Sequence, residues 1–415
     1  MFKILEREQL TDNIFKMVVE AKRVAKSCLP GQFVIVRMDE EGERIPLTIC
    51  DYDAEKGTIT IVFQIVGAGT MKLAKLQAGD AFLDFVGPLG RPSELCEEDL
   101  DSLKQKKILF VAGGVGTAPV YPQVKWLHEK GIDADVIVGA KSKDILIMEK
   151  EMEAVAGNLY VTTDDGSYGR SGMVTTTIQD LVNEYKYKIE LHAHTSPCSG
   201  CSEIPPEKII EILAAKGYDA VMITNHFYPG APFMKAEDPV TEYLRDYYAA
   251  KEAGEKAGMK VYMGAEYRFS ENNNDYLVIG VDEAFLRETV TRLDMGIDAF
   301  YREYHRDSLL ILQAHPFRNG MTPVDPASLD GVESMNLHPH HNSRVSVTSS
   351  YQREHNFPVV TIGSDLHHWG HEGHSATRTK FLPEDEAALV ALLRSRDYLF
   401  EIGGAVMFPY LSVEK

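Results

Sequence analysis

Two histidines separated by one residue are the first feature of this sequence that could do chemistry. His192 and His194 follow the apolar run Tyr187 to Leu191. If that run forms a β-strand, side chains two residues apart point to the same face. Both imidazoles would then leave the strand end in one direction, where they could bind one metal ion.

The same arrangement, an apolar run followed by His, Glu or Asp, recurs along the second half of the chain. It is typical of strands that carry metal ligands at the C-terminal rim of a barrel. Neutral imidazole and carboxylate suit Zn²⁺, Mn²⁺ or Fe²⁺, and a carboxylate can bridge two cations about 3.5–4 Å apart. The predicted metal ligands are His192, His194, His226, Glu266, His315, Asp365 and His367. Glu266, His226 and Asp365 are also the predicted catalytic residues.

The elements that must position these ligands alternate between strands and helices. A helix predicted from Pro206 to Lys216 leads into a strand from Ala220 to Thr224. A second helix, Thr241 to Ala257, leads into a strand from Lys260 to Gly264. About seven βα steps fit residues 187–415, which predicts a distorted (βα)7 barrel of the TIM type. Further strands are predicted at 275–280, 309–313, 331–335 and 359–362.

Residues 1–100 have a different pattern, with short alternating runs separated by turn residues. This predicts an antiparallel β-barrel domain with strands at 13–20, 32–37, 58–66 and 81–86. Two motifs in it could contact a pyrophosphate, through a guanidinium fork and through backbone N–H groups at a helix start. Either motif alone is more often a plain turn. The residues concerned are Arg44, Pro46, Leu47 and Thr48, followed by Gly67, Gly69 and Thr70.

Residues 101–186 are predicted to form a truncated α/β domain with a parallel sheet. The buried-strand run Lys107 to Ala112 is followed by Gly113, Gly114 and Gly116 and then by a helix from Val120 to Lys130. Strand, glycine turn and helix in that order suit a dinucleotide phosphate. A glycine turn that merely packs a helix on a sheet is the alternative. The βα alternation ends near residue 186 without a linker.

Together these motifs resemble the flavin subunits of the ferredoxin–NADP reductase superfamily. The nearest types are NADH-dependent ferredoxin–NADP oxidoreductase, sulfide dehydrogenase and the electron-transfer subunit of dihydroorotate dehydrogenase. The resemblance implies FAD on the barrel, NAD(P) along 113–119 and 163–169, and a partner oxidoreductase subunit. The chain departs from the family because the later strands and the cysteine set for a two-iron cluster are missing. Cys28, Cys50 and Cys96 lack cluster spacing, so no iron–sulfur cluster is expected.

The histidine motifs of residues 187–415 resemble the polymerase and histidinol phosphatase (PHP) family. In that family they bind two or three metals that drive phosphoester hydrolysis by an activated water. The resemblance implies one metal on His192, His194, Glu266 and Asp365, and a second shared through Glu266 with His315. His226 and His367 would complete the neighbouring metal and phosphate positions. Asn225 and the segment 197–200 depart from the family pattern, so two metals are expected rather than three.

Three arginines could clamp a substrate phosphate in this half. Arg344 and Arg378 are the predicted phosphate-binding residues, with Arg268 as a further candidate. For each of them a solvent-facing role is an equal alternative, since most surface charges have no specific partner. Cys198 and Cys201 form a C-x-x-C, which without a second pair more often marks a loop than a zinc site.

Net charge, cysteine content and the lengths of apolar runs limit the classes of partner and the cellular location that the sequence predicts. The chain has 415 residues, and its net charge of −19 offers no footprint for nucleic acid or an anionic membrane. Five scattered cysteines and a charged start that is no signal peptide predict a cytoplasmic protein. No apolar run is long enough for a membrane span. Of the 14 histidines, only His128 precedes residue 187, which assigns the metal chemistry to the second half.

The sequence therefore predicts a metal-dependent phosphoesterase, acting on a small phosphorylated substrate, fused to a reductase-like electron-transfer module. One alternative is an FAD- and NAD(P)-linked electron-transfer subunit whose metal-binding half is regulatory or inactive. A metal-binding scaffold without turnover is a third hypothesis. A flavin spectrum favours the electron-transfer subunit, and metal bound without hydrolysis favours the metal-binding scaffold.

Overall fold

A computed structural model describes residues 1–104 and 106–409. The chain divides into two compact units, Met1–Leu181 and Val182–Lys415. Each unit builds its own hydrophobic cores. Among the described residues, no helix combines the length and the apolar character that crossing a membrane requires.

The first unit begins with an antiparallel sheet in the order β6-β1-β2-β5-β4-β3-β7. Its two end strands, β6 and β7, are separated only by Leu83, so the sheet must roll until its edges meet. The predicted barrel is thereby confirmed. The charged first strand was not predicted, because its polar residues mask the buried Ile4. The strands are β1 (Phe2–Thr11), β2 (Ile14–Glu20), β3 (Phe33–Arg37), β4 (Ile45–Asp53), β5 (Thr58–Gln64), β6 (Ala81–Phe82) and β7 (Asp84–Leu89); the helices are α1 (Lys22–Ala25), α2 (Ala68–Leu73) and α3 (Leu100–Lys104).

A second, four-stranded sheet completes the first unit. Its order is β11-β10-β9-β8 and all three pairings are parallel, as the alternation of strands and helices predicted. Parallel neighbours need a crossover connection, which a helix supplies between β8 and β9 and another between β9 and β10. The strands are β8 (Ile108–Gly113), β9 (Ala134–Ala140), β10 (Leu159–Thr163) and β11 (Arg170–Ser171); the helices are α4 (Thr117–Glu129), α5 (Glu149–Glu153) and α6 (Val174–Asn183).

The second unit is built on one curled sheet of 11 strands. Along the path β19-β18-β17-β16-β15-β13-β12-β20-β21-β22 neighbours are hydrogen-bonded, and β14 pairs with β15. The strands are β12 (Tyr187–Ala193), β13 (Ala220–Ile223), β14 (His226–Phe227), β15 (Lys260–Arg268), β16 (Asp275–Ile279), β17 (Leu310–Gln313), β18 (Gly331–Asn336), β19 (Val359–Gly363), β20 (Ser375–Thr379), β21 (Leu399–Ile402) and β22 (Ala405–Met407). The helices are α7 (Pro206–Ala215), α8 (Pro239–Ala257), α9 (Glu283–Thr289), α10 (Ile297–Tyr304), α11 (Val345–His355) and α12 (Glu386–Ser395).

This sheet departs from strict alternation of strands and helices at two places. β15 and β16 form an antiparallel hairpin, because the six residues 269–274 between them are too few for a helical crossover. At the other end, β20, β21 and β22 add antiparallel strands beside β12. Short 3₁₀ helices in the chain span Glu94–Cys96, Gly114–Gly116, Lys143–Ile145, Pro232–Lys235 and Pro326–Ser328.

The curling of the sheet brings the C-terminal ends of distant strands together. The segment after β19 returns to the end of β12, where the N–H of His194 donates to the carbonyl of Leu366 at 2.9 Å. The N–H of Leu366 donates in turn to the carbonyl of His192 at 3.1 Å. β12 is buried from Ile189 to Ala193 on both faces, as a strand covered by helices outside and side chains inside must be.

Candidate metal centre

The histidine pair at the end of β12 forms the middle of the candidate site. His192 and His194 are fully buried, and their Nε2 atoms lie 3.1 Å apart. The Glu190 carboxylate holds this strand end, since it accepts from the N–H of His192 at 3.0 Å and from the N–H of Ser364 at 3.1 Å. The strand therefore directs both imidazoles to one side, as its spacing predicts.

Two carboxylates approach the same pair of nitrogens from other strands. His192 Nε2 lies 3.3 Å from Glu266 Oε1 and 3.3 Å from Asp365 Oδ1. His194 Nε2 lies 3.3 Å from Glu266 Oε2 and 3.3 Å from Asp365 Oδ1. Ligands held about 2.0–2.1 Å from a tetrahedral cation are themselves about 3.3 Å apart. The four side chains are thus spaced like the donors of one bound metal.

Three further histidines surround this group. His315 Nε2 lies 3.1 Å from Glu266 Oε1, and His226 Nδ1 lies 2.8 Å from Glu266 Oε2. His367 Nδ1 lies 3.2 Å from Asp365 Oδ1. All seven predicted ligands therefore converge, and we call them together the main centre.

The main centre contains four overlapping donor sets whose atoms lie within 4.8 Å of one another. The sets are His192 with His194 and Asp365, His192 with Glu266 and His315, His226 with Glu266 and Asp275, and His194 with His226 and His367. At most two of these sets can be chosen without using a residue twice. The arrangement therefore has room for two cations with separate ligands, and for a third only through bridging residues.

Several donor atoms of the main centre have no hydrogen-bond partner among the described residues. They are buried and comprise Nδ1 of His226 and His315, Oε2 of Glu266 and both carboxylate oxygens of Asp365. His226 and Glu266 lie close together without the alignment of a hydrogen bond. Leaving charged oxygens buried and unpaired is costly. The donor set thus fits divalent cations, whose binding would balance the unpaired carboxylate oxygens.

The protonation tendencies agree with metal-binding side chains. Burial raises the pKa of Glu266 and Asp365, but the surrounding imidazoles outweigh it and hold both well below their usual range. Burial, together with His367 and His226, holds the pKa of His194 well below its ordinary value. Burial also lowers the pKa of His192, but neighbouring carboxylates led by Glu333 outweigh it and raise that pKa well above the usual value. The carboxylates thus require a positive charge, either a proton on His192 or a metal ion.

Glu333 was not singled out from the sequence and lies directly behind the ligands. Its Oε1 is 2.8 Å from His192 Nδ1, and its Oε2 accepts from the N–H of His315 at 3.1 Å. A carboxylate on Nδ1 keeps the proton there and leaves Nε2 free for a metal. A buried Glu inside the apolar run of β18 is the signal that could have revealed it. Gly363 makes room for the pair, because a Cβ there would lie 2.5 Å from both Glu333 Oε1 and His192 Cβ.

Asn225, which departs from the family pattern, has a local structural role. Its Oδ1 accepts from the N–H of Thr195 at 2.7 Å and from Ser199 Oγ at 2.9 Å. Ser199 Oγ also lies 3.2 Å from His194 Nδ1. Because its own hydrogen is given to Asn225, this hydroxyl accepts from His194 and leaves the Nε2 of that histidine free. Asn225 therefore orients His194 indirectly, through the Ser199 hydroxyl.

The two cysteines of the C-x-x-C do not act as a pair. Cys198 is buried, and its Sγ donates to the carbonyl of Tyr243 at 3.5 Å. Cys201 is exposed. Partial burial raises the pKa of Cys201, but hydrogen bonds from His226 and His367 outweigh it and lower that pKa to about 6. Cys201 therefore borders the main centre while Cys198 supports helix packing.

The predicted phosphate-binding arginines lie in different places. Arg378 pairs with Lys188 near the start of β12, where its guanidinium donates to Tyr185 O and Glu401 Oε2 at 2.7 and 2.8 Å. That is the end of the strand opposite His192, so the structure does not bring Arg378 to the main centre. Arg344 is exposed, and its guanidinium donates to Asn319 Oδ1 at 3.2 Å.

Arg318, which no sequence motif singled out, is the arginine that reaches the main centre. Its Nη1 lies 3.6 Å from Asp365 Oδ2, and its Nη2 donates to His341 Nε2 at 2.5 Å. Arg268 lies on β15 beyond Glu266 but is held by Asp275 through two bonds of 2.6 and 2.7 Å. Asp275, the first residue of the strand predicted at 275–280, begins β16 and joins one of the donor sets.

The predicted flavin residues of the first unit lie around one end of β4. Pro46, Leu47 and Thr48 are in this strand, and Arg44 just before it has a side chain that is 64% exposed. Gly67, Gly69 and Thr70 form the start of α2, where the Thr70 hydroxyl accepts from the N–H of Gly67 at 3.1 Å. Glu43 lies against Gly69, which places the two motifs side by side.

The predicted nucleotide turn lies between β8 and α4. Gly113 ends the strand, and Gly114 to Gly116 form a 3₁₀ turn that leads into the helix at Thr117. Gly114 has a φ of +54°, which favours glycine, and a Cβ at Gly114 or Gly116 would meet nothing within 4 Å. The strand–turn–helix arrangement is the expected one, with open space beside its glycines.

Comparison with known proteins finds different relatives for the two halves. The family model "PHP domain" matches residues 190–376, which include every predicted metal ligand. The N-terminal half is 60% identical over 190 residues to a protein encoded in the adh 3' region of Clostridium beijerinckii, 46% of this chain and 64% of that one. It is 40% identical over 187 residues to a homolog of the dihydroorotate dehydrogenase B (NAD(+)) electron transfer subunit from Thermotoga maritima, 45% of this chain and 64% of that one.

Two further relatives are similar over the same share of the chain. The dihydroorotate dehydrogenase B (NAD(+)) electron transfer subunit of Streptococcus pneumoniae is 35% identical over 185 residues, 44% of this chain and 70% of that protein. A chain from the structure of NADH-dependent reduced ferredoxin–NADP oxidoreductase is 36% identical with a TM-score of 0.41, covering 46% of this chain and 66% of that one. This chain thus spans 64% of the length of the first two relatives.

Proposed function

This chain belongs, through its first unit, to the family of dihydroorotate dehydrogenase-type electron-transfer subunits and carries a PHP domain in its second, and from that premise we propose that the PHP domain hydrolyses a small phosphomonoester with bound divalent cations. The observation that carries the proposal is the set of buried imidazole and carboxylate atoms without hydrogen-bond partners in the main centre. Such a set stays ionised and close together only if positive charge balances it, and divalent cations supply that charge to all of the carboxylates at once.

The proposed ligands divide between two cation positions. His192, His194 and Asp365 face one position, while Glu266 offers Oε1 toward His315 and Oε2 toward His226, so that it can serve both. Divalent cations such as Zn²⁺, Mn²⁺ or Fe²⁺, when bound, activate a water and withdraw charge from a phosphoryl oxygen. Asp275 and His367 complete the outer sides of the site.

We assign the binding of the substrate phosphate to Arg318. Its guanidinium lies beside Asp365 at the edge of the main centre, and its side chain is 22% exposed, so it can reach both solvent and the site. A guanidinium fork suits two oxygens of one phosphate. Arg344 is bonded to Asn319, the residue after Arg318, and we propose it as a second contact, whereas Arg378 is bound elsewhere.

Phosphate release from a panel of small phosphomonoesters tests the proposal on the full chain. We expect release with Mn²⁺ or Zn²⁺, none after treatment with a chelator, and recovery when the metal is returned. Glu266→Gln keeps the shape of the side chain but removes its charge, and should abolish release. Wild-type turnover in that variant would contradict the assignment.

For the first unit we propose binding of FAD at Arg44, Thr48 and the start of α2, in an electron-transfer module. The identity to electron-transfer subunits named above favours this second function. NAD(P) at the turn after β8 and a partner oxidoreductase subunit belong to the same proposal. A flavin absorbance spectrum of the purified chain tests the FAD site, and NADH-dependent bleaching of that spectrum tests the nucleotide site. Purified protein that is colourless and takes up no added FAD would contradict the assignment.

We also propose a cytoplasmic location. All five cysteines are free in the structure, and none has a disulfide partner. Reduced thiols are the normal state in that compartment.

A further inference from the structure

Outside the main centre, the second unit has a dense group of histidines on two adjacent loops. β18 and β19 are parallel neighbours, so the loops that follow them leave the sheet side by side. The first loop carries His338, His340 and His341, and the second carries His368 and His371. None of these residues is among the donor sets of the main centre.

Three of these imidazoles stand around a common space. The ring centres of His340 and His371 are 4.6 Å apart, those of His368 and His371 are 5.3 Å apart, and those of His340 and His368 are 5.9 Å apart. A cation held by imidazole nitrogens at about 2.0–2.1 Å places the ring centres roughly 5 Å from one another. The χ2 torsion of histidine is broad and roughly two-fold, so the rings can rotate to present their nitrogens to this space.

His371 has a buried ring nitrogen without a hydrogen-bond partner in the described part of the chain. The residue is only 7% exposed, and its Nδ1 is buried with no hydrogen-bond partner among the described residues. A buried imidazole nitrogen without a partner loses the hydrogen bond it would have in water. A cation in the space shared with His340 and His368 would satisfy it.

The surroundings keep the three rings in place. The N–H of His340 donates to His338 Nδ1 at 3.2 Å, which ties the first loop close to the buried His338. Glu203 Oε1 lies 3.6 Å from His368 Nδ1. A carboxylate behind a ligating histidine is a common way of orienting it.

We propose that His340, His368 and His371 form a second metal site, separate from the main centre, that binds an imidazole-preferring divalent cation such as Zn²⁺, Ni²⁺ or Cu²⁺. Three neutral nitrogens without a carboxylate favour these ions over Mg²⁺ and Ca²⁺, which prefer oxygen. Solvent reaches the site through the exposed His340, so its fourth position is open to water.

Metal counting on the full chain tests this site independently of hydrolysis. The chelated protein is titrated with Zn²⁺ in competition with a chromophoric chelator, for the wild type and for His340→Ala/His368→Ala. We expect the double variant to bind one equivalent less, while His128→Ala, an exposed histidine of the first unit, binds the same number as the wild type. Equal stoichiometry in the double variant and the wild type overturns the proposal.

A measurement on the unmodified chain guards against misfolding of the variant. Acylation of histidines by diethyl pyrocarbonate is followed by mass spectrometry with and without Zn²⁺ or Ni²⁺. Protection of His340 and His368, with His128 modified at the same rate throughout, is the expected result. Identical modification of His340 and His368 with and without either metal contradicts the site, whatever the phosphoester panel shows.

Discussion

The two units present their candidate sites in opposite ways. In the second unit, Glu266 and His192 are fully buried and surrounded by other ionisable side chains. In the first unit, Arg44 is mostly exposed, and a Cβ added at Gly67 would meet nothing within 4 Å. A buried group of charges needs a counter-ion and so reveals its ligand, whereas an exposed glycine turn is stable with or without one.

The largest effect that would break this contrast is expected from Glu266→Gln. Loss of the shared carboxylate should reduce the rate of phosphate release well over ~100-fold. That is more than the loss expected when a residue that only hydrogen-bonds to a metal ligand is mutated. Phosphate release and bound metal are measured together by colorimetry and elemental analysis. Flavin content is the internal control, because the first unit should be unaffected.

Removal of metal should affect stability in the second unit only. A cation at about 100 times its Kd adds about 2.7 kcal/mol to the stability of the state that binds it. For a unit of this size that corresponds to roughly 5–10 °C in Tm. Calorimetry with and without a chelator should show one transition shifting down and the other unchanged. Two transitions that both stay in place would mean that the buried carboxylates need no cation.

Glu333→Gln tests the layer behind the ligands. The amide of this variant would still fit the space but could not hold the proton on His192 Nδ1 as a carboxylate does. Metal affinity or turnover should fall about 10- to 100-fold. Asn336→Ala, which removes the 3.0 Å bond to the same carboxylate without changing its charge, is the matched control and should have a smaller effect. Equal losses in the two variants would point to packing instead of charge.

Arg318→Ala and Arg378→Ala separate the proposed phosphate contact from the arginine at the opposite strand end. A hydrogen bond to a charged group contributes about 1.5–3 kcal/mol, or about 10- to 150-fold in kcat/KM. That loss is expected for Arg318→Ala, mainly through KM, and none for Arg378→Ala. Steady-state kinetics on the best phosphomonoester measures kcat/KM for both variants. A larger loss in Arg378→Ala than in Arg318→Ala would assign the phosphate contact to Arg378.

The smallest expected effect is in the first unit. Arg44→Ala should weaken FAD binding about tenfold, the cost of roughly 1.4 kcal/mol, because the exposed side chain is one of several proposed phosphate contacts. Fluorescence quenching of added FAD measures it, with Lys3→Ala as a surface control. Unchanged FAD affinity in Arg44→Ala would remove this residue from the flavin site, and phosphate release should not change in either variant.

Local spacing in the sequence by itself determined much of this protein. The one-residue spacing of His192 and His194 on an apolar run requires both side chains to share a face, because the strand repeats every two residues. The alternation of strands and helices likewise predicted the parallel sheet of the first unit. These features depend only on residues that are neighbours in the chain.

Only the tertiary structure decided which distant residues meet. Glu333 approaches His192 because β18 and β19 curl the sheet toward β12. Arg318 lies beside Asp365 because the loop after β17 returns to the main centre, whereas Arg378 lies on β20 beside the start of β12. β16 runs antiparallel to β15, and this direction brings Asp275 to one of the donor sets. The hydrophobic pattern of the strand does not indicate whether it runs parallel or antiparallel to its neighbour. Pairing across strands is set by the whole sheet, so its consequences appear only when the chain is folded.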